Sequence, residues 1–455
     1  MKKTFLLSCL MLAAMPVMAA YTGHVYVDKN KNGVFDQSEK PLAGIKVSDG
    51  LNVVETAADG SFTLPGHERE RFIFITTPSG YKTFNRHYHK IEKKQSGYDF
   101  GLIPYSGRIR KDGSHRYIHI TDTEIFNTEN HADWVNNVRD YARNEQAAFI
   151  IHTGDICYEK GLKAHIKLMN TENMDCPVFY CIGNHDLVKG KYGEELFESI
   201  YGPVYYSFDA GNVHYVVTPM PGGDHAPGYT SDDVCRWLKN DLAHIRPGTP
   251  VVVFNHDLLT YEDTFIFKSK NAGSINLNEY NLKAWVYGHW HINYMKKQGD
   301  VYSVCTSSLD KGGIDHSTTA FRVMHVDSKG DFTSELRYTY LDKNICIASP
   351  AGVMASGVLP VAVNVYSSVS PVREVLYTCL ADGKPVLKNK RLLQSTDWSW
   401  NGELPLSHKY VGKELTLRVT ARFNNGEIAE AESNFICRTE KAVPLFSADS
   451  VSYTH

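Results

Sequence analysis

Five short polar motifs, each directly after an apolar run that reads as a strand, constrain this chain more than anything else in it. In order they are Thr121-Asp122-Thr123-Glu124, Gly154-Asp155-Ile156-Cys157-Tyr158, Gly183-Asn184-His185-Asp186, Phe254-Asn255-His256-Asp257 and Gly288-His289-Trp290-His291. They supply Asp122, Asp155, Asn184, His256, His289 and His291, a set of oxygen and imidazole donors without a thiolate. Such donors suit manganese, iron, cobalt or zinc rather than a structural cysteine-zinc site. Two such ions sit about 3.5–4 Å apart when they clamp the attacking and leaving oxygens of a phosphoryl displacement. That geometry needs one carboxylate shared between them, and Asp155 is the best-placed candidate.

From His115 onward, strands alternate with helical patterns. Tyr117–Ile120, Ala148–Ile151 and Val178–Ile182 precede the first three motifs, and Val251–Phe254 and Trp285–Tyr287 precede the last two. Residues 129–146, 159–172 and 230–244 read as helices, and strands are expected near 301–305, 320–326 and 333–340. Apolar strands that end at once in polar residues put the chemistry at their carboxyl ends, the usual crevice of layered α/β folds. Alternation along Gly288–His291 would put both imidazoles on one side and Trp290 on the other. His119 and His152 fall inside strands and read as packed side chains, while His225 and His316 read as surface residues.

This motif series resembles the calcineurin-like metallophosphoesterases. Their pattern is D-x-H, G-D-x-x, G-N-H-[DE], a lone His after a strand, and G-H-x-H, and all but the first appear intact here over residues 122–291. The resemblance implies a four-layer α/β/β/α sandwich spanning residues 112–342. It also implies a two-metal phosphoric-ester hydrolase, a phosphatase or phosphodiesterase acting on a small phosphoester. Carried over residue by residue, Asp122 and His291 hold one metal, Asn184, His256 and His289 hold the other, and Asp155 bridges them. A metal-bridging hydroxide is the nucleophile, His185 the general acid, and Asp186 its orienting partner.

The first motif departs from the family pattern, with Glu124 where the family has His. A carboxylate two residues after Asp122 could reach the same ion, or turn outward to solvent. Alternatively Tyr158 stands where purple acid phosphatases carry a metal-binding tyrosine in Gly-Asp-x-x-Tyr. The departure sustains a second expectation of another class: a non-catalytic glycan- or protein-binding protein with a degenerate metal site.

Flanking regions read as β-structure. Residues 20–108 resemble the small β-sandwich repeats of surface proteins, with a turn at Thr56–Gly60 leading into Ser61–Leu64. Within them, Asp28, Asn30, Asn32, Val34, Asp36 and Glu39 fall at the spacing of a calcium-binding EF-hand loop, with Gly33 at its turn. The alternative is a plain Asn-Gly hairpin. Residues 343–455 return to alternation with turns at Ala381-Asp-Gly383 and Asn424-Asn-Gly426, which suggests an immunoglobulin-like sandwich.

The chain opens Met-Lys-Lys, continues with a short apolar run from Phe5 to Val17 and reaches Val17-Met-Ala19, the pattern of a signal peptide cut after residue 19. An exported, periplasmic or secreted protein is expected. No later segment offers the roughly 18 uninterrupted apolar residues of a membrane span. Net charge is −3, falling by two to −5 once Lys2 and Lys3 are removed, with no basic block interleaved with aromatics, so a nucleic-acid partner is not expected. The eight cysteines after the signal form no Cys-x-x-Cys pair and fix no disulfide connectivity. Oligomeric state is not legible.

Overall fold

The computed structural model describes residues 20–341 and 343–438. The signal-peptide reading, over residues 1–19, lies outside the described residues, as does the end of the C-terminal region. None of the described helices is long and apolar enough to cross a membrane.

The central unit is built on two facing sheets. The first orders Val178–Tyr180, Phe149–His152, His115–Ile120, Ala320–Val326 and Phe332–Tyr338, with its first three strands parallel and the other two antiparallel. The second orders Tyr206–Ala210, Val213–Val217, Val251–Phe254, Leu282–Tyr287, Val301–Cys305 and Tyr294–Gln298, parallel except for its two edge strands. Successive strand residues point to opposite faces, so each strand feeds two cores. Tyr117 and Phe149 stack at 4.7 Å on the inner face, where Phe149 meets Phe208 and Tyr215 edge-on at 5.0 Å. Their neighbours Ile118 and Ile150 face outward and join a core with Trp134, Val138 and Leu162 of helices Ala132–Asn144 and Tyr158–Leu168. On the far side, helix Ser231–Ala243 covers the second sheet: its Asp241 bonds the outward His214 and Ser207 at 2.8 Å. The result is the four-layer α/β/β/α sandwich.

Helix boundaries differ from the sequence reading. The helix expected to run to 172 stops at Leu168, because Asn170 turns its side-chain oxygen onto the N–H groups of Glu172 and Asn173 at 3.0 and 2.9 Å and closes the end. Helix Glu195–Tyr201 was not anticipated.

Before this unit, two small sheets pack around Val25, Val47, Phe62, Ile73, Ile75 and Phe100. This N-terminal sandwich continues into the central unit: Thr77 bridges Phe208 in parallel, extending the six-stranded sheet past its edge strand. Lys46 reaches from it to His214, which is gripped by the half-buried Asp209 at 2.7 Å and the buried Asp241 at 2.8 Å. After the central unit, a sheet ordering Asn344–Ser349, Gly357–Tyr366, Ser399–Leu406 and Leu393–Gln394 packs on one ordering Gly352–Ala355, Ile428–Arg438, Glu414–Phe423, Val372–Ala381 and Lys384–Arg391. Val363, Tyr377, Trp400, Leu417 and Phe435 fill the space between them. All eight described cysteines are free, and all but Cys346 are buried.

Candidate active site

The five motifs meet at the carboxyl ends of the parallel strands, where the backbone turns sharply. Asp122, Glu124, Asp155, Cys157, Tyr158, His289 and His291 all have φ between 43° and 75°. Non-glycine residues rarely adopt that region, at a cost of roughly 1 kcal/mol or more each, and such strain clusters at functional sites. The motif glycines permit the crowding. A Cβ on Gly183 would lie 2.2 Å from Asp155 Oδ1, and one on Gly288 would lie 1.8 Å from Thr121 Oγ1.

The side chains converge in two groups around shared carboxylates. Ligand atoms of Asp155, His256 and His289 all lie within 4.8 Å of one another. His256 Nε2 is 3.1 Å from Asp155 Oδ2 without forming an aligned hydrogen bond, and its Nδ1 faces the Thr153 carbonyl at 2.7 Å, leaving Nε2 aimed into the site. Asn184 Oδ1 is likewise buried with no partner. On the other side, His291 Nε2 lies 3.3 Å from Asp122 Oδ1 and 3.5 Å from Glu124 Oε1. Asp122 Oδ1 is also 3.9 Å from His256 Nε2, so the two groups adjoin.

Electrostatics agree with cation sites. Burial works against charge on His256, yet Asp155 and Asp122 outweigh it and push the imidazole up to about 9. His291 is raised through its bond to Asp122. Burial also opposes ionisation of Asp155, but the facing His256 imidazole holds that carboxyl below its usual range. Carboxylates that raise their neighbouring imidazoles mark a place short of positive charge, which a metal supplies in exchange for the protons. With the orphaned Asn184 Oδ1 and His256 Nε2, the donor set fits divalent metals.

Glu124 turns toward His291 rather than solvent, but it is shared: its other oxygen is paired with Lys311, which also reaches the Glu124 carbonyl at 3.3 Å. The two stretches read as extended do not alternate as strands. Left-handed residues at Asp122 and Glu124, and at His289 and His291, set where those side chains point, so the simple two-residue alternation does not apply. Trp290 does turn away, donating its indole N–H to Asp257 at 3.1 Å. Tyr158 stacks beside Phe126 at 6.2 Å and lies 5.4 Å from the His185 ring. Among the described residues no hydrogen bond joins its hydroxyl to Asp122 or Asp155.

The expected Asp186–His185 pairing is not formed. Asp186 is fully buried and accepts the N–H groups of Cys157 and Gly183 at 2.8 and 2.9 Å, tying the second and third motifs together. Burial and nearby Asp155 push its carboxyl up to about 7. The partner of His185 is Asp224, whose Oδ2 lies 2.8 Å from Nδ1. Burial lowers the His185 pKa, but the Asp224 bond and neighbouring carboxylates leave it raised overall. Asp224 and Lys311 were both missed from sequence. The signal for Asp224 was Gly222-Gly223 before it: a Cβ on Gly223 would lie 2.3 Å from the Asn184 carbonyl, so only glycine lets that loop lie on the third motif. His119 and His152 are buried supports, facing Thr153 and Thr123 hydroxyls at 2.9 and 3.0 Å.

In the N-terminal unit, the 28–39 loop turns its oxygens inward onto its own backbone. Asp28 accepts the N–H groups of Asn32 and Gly33 at 3.2 and 2.9 Å, Asn32 that of Val34 at 2.8 Å, and Glu39 those of Lys29 and Asp36 at 2.9 and 3.2 Å. Asn30 and Asn32 direct their amide nitrogens to Asp36 at 2.7 and 3.1 Å. Asp49, His67 and Glu70 also converge, but local bonds engage them: His67 Nε2 faces the Asp49 carbonyl at 3.0 Å, and Asp49 Oδ1 accepts two backbone N–H groups.

A family model described as calcineurin-like phosphoesterase matches residues 115–293, and one described as the N terminal of calcineurin-like phosphoesterase matches residues 29–104. Purple acid phosphatase 13 of Arabidopsis thaliana is 26% identical over 215 residues, 44% of this chain and 36% of that protein, so the chain spans about a third of that relative's length. Among solved structures, an archaeal phosphodiesterase is 12% identical over 49% of this chain and 99% of its own, with a TM-score of 0.25. Vacuolar Protein Sorting 29 from Cryptosporidium parvum is 10% identical over 64% and 99%, with a TM-score of 0.26. The two family matches, falling on the sandwich that precedes the site and on the layers that build it, show that this chain belongs to the calcineurin-like phosphoesterase family.

Proposed function

We propose that this protein is an exported, two-metal phosphoric-ester hydrolase acting on small phosphomonoesters or phosphodiesters. One observation carries the reading: His256 Nε2 is buried without an aligned partner 3.1 Å from Asp155 and 3.9 Å from Asp122, and Asn184 Oδ1, beside His185 in the chain, is buried without one too, with His185 itself paired to Asp224. Asp122, His291 and Glu124 would hold one ion, Asn184, His256 and His289 the other, with Asp155 between them. Bound there, manganese, iron or zinc would activate a water and neutralise charge on the phosphoryl oxygens.

The chain's own groups supply the rest. Asp224 holds Nδ1 of His185, so the proton available for transfer sits on Nε2 and can pass to the departing alkoxide. Asp186 fixes the backbone around His185 by gripping the N–H groups of Gly183 and Cys157. The test is a panel of phosphomonoesters, phosphodiesters and pyrophosphates with manganese added, run beside Asp155→Ala. Hydrolysis by the wild type and its loss in the variant, together with loss of metal from both positions, is expected. Near-normal turnover in Asp155→Ala would remove the shared-carboxylate mechanism.

A second reading, a glycan- or protein-binding protein with a decayed site, is favoured by the commitment of Glu124 to Lys311. It predicts fewer than two metals per chain and no turnover across that panel. Export after residue 19 is part of the proposal and is read by amino-terminal sequencing of the mature protein. Calcium in the 28–39 loop is a further part, resting on its inward oxygens and the left-handed Gly33 (φ 72°). Calorimetry showing no calcium uptake at millimolar concentration would remove it.

A further inference from the structure

Beside His185, two aromatic rings face solvent where the reading above has no use for them. Phe126, four residues after Asp122, is 56% exposed, and Tyr158 is 39% exposed. Their planes are within 16° of parallel with centroids 6.2 Å apart, and the Tyr158 ring lies 5.4 Å from the His185 imidazole. Single exposed apolar residues are ordinary, but adjoining exposed rings at the edge of a polar site mark a surface that something covers. The position of Tyr158 is also enforced. It and Cys157 adopt left-handed backbone at φ 46° and 75°, and Asp186 grips the Cys157 N–H at 2.8 Å, so the strained turn sets the ring beside His185.

We propose that Phe126 and Tyr158 form the platform for the leaving alcohol, and that this alcohol carries a flat aromatic ring, as a nucleoside does. The inference rests on His185 being the proton donor of the proposed reaction, because whatever departs from its Nε2 then lies next to the Tyr158 ring. A flat π-system gains most from such a surface, since its face matches the ring faces over a large area. An anionic group gains nothing from the pair, and the nearby Lys311 is already engaged by Glu124.

Comparing adenosine 5′-phosphate with ribose 5-phosphate isolates the ring, because both esters are cleaved at the primary 5′-oxygen of a ribose and only the first leaving group carries a base. With manganese present, kcat/KM is expected to favour adenosine 5′-phosphate by on the order of tenfold or more, the range of one base stacked on an aromatic side chain. Phe126→Ala and Tyr158→Ala each reduce that ratio toward one, whereas Tyr158→Phe retains it. The last variant also separates stacking from metal binding by the phenol. Calorimetry of adenosine on chelator-treated protein gives a readout free of turnover: binding is expected in the wild type and lost in Tyr158→Ala. A ratio near one in the wild type, or one unmoved by both alanine variants, would overturn the platform while leaving the hydrolase reading in place. If no ester in the panel is hydrolysed, the hydrolase reading fails, and adenosine binding alone then decides the platform.

Discussion

At His185 a carboxylate 39 residues away in the chain sets the protonation state, and the sign of its effect can be tested. Burial alone would lower this imidazole's pKa, but Asp224 and the nearby carboxylates raise it, so the acid form persists to higher pH. Asp224→Asn removes that support. The alkaline limb of the pH–rate profile should move to lower pH, most visibly for esters with poor leaving groups, and an unmoved limb would exclude the pairing. His185→Ala should slow poor leaving groups by roughly 10²–10⁴-fold and activated aryl esters much less, with metal content unchanged. Equal slowing of both would count against proton donation. Glu124 carries the third residue-scale expectation. Its Oε1 faces His291 at 3.5 Å while Lys311 takes the other oxygen, so Glu124→Ala should lower occupancy of the Asp122–His291 metal by elemental analysis. Full occupancy in that variant would make Glu124 a lysine partner alone.

Among elements, the strand-to-loop junctions hold the site, and their glycines are its tightest constraint. Gly183 follows strand Val178–Tyr180 closely and lies against Asp155 so nearly that a methyl group would sit 2.2 Å from Oδ1 and 2.3 Å from the backbone nitrogen. Gly183→Ala must therefore push apart the second and third motifs. Loss of metal and turnover with the circular dichroism of the sheets retained is expected; normal metal content would show that the junction can yield. The strands themselves were legible because apolar runs of four to six residues leave little choice. Helix Glu195–Tyr201 was not, since its seven residues are too few for a periodic pattern to stand out.

For the whole molecule, the joint between the N-terminal sandwich and the central unit is electrostatic as well as continuous in hydrogen bonding. Lys46, His214 and Asp241 share one buried cluster, with the half-buried Asp209 at its edge. Removing one partner from a buried network leaves the others uncompensated, so Lys46→Met should destabilise by about 3–5 kcal/mol in denaturant unfolding. The pH dependence has two signs. Burial disfavours charge on His214, but Asp241 wins and raises it, so its stabilisation is full below the ordinary imidazole value and fades as pH rises through the folded one. Asp209 and Asp241 resist burial through Lys46 and His214 and are lowered, so their contribution holds above the ordinary carboxylate range and is lost as pH falls through their folded values. His214→Gln should flatten the neutral-to-alkaline decline; an unchanged profile would locate that decline elsewhere.

The sequence by itself determined the order of the motifs, the donor chemistry and the layered α/β class, because residue type and strand-end position are local properties of the chain. It did not determine which side chain faces which. Asp186 stood next to His185 in sequence yet points down into the backbone of two motifs, and Asp224 took the place beside the imidazole. Left-handed turns at Asp122, Glu124, His289 and His291 redirected side chains that strand alternation would have aimed otherwise. Lys311 reached Glu124 from 187 residues away, and Lys46 reached from another sheet to the cluster in which Asp209 and Asp241 offset its charge, pairings no local spacing records. Tertiary structure decided these because a buried charge must find its counterpart wherever the folded chain brings one within reach, and that distance is a property of the packing.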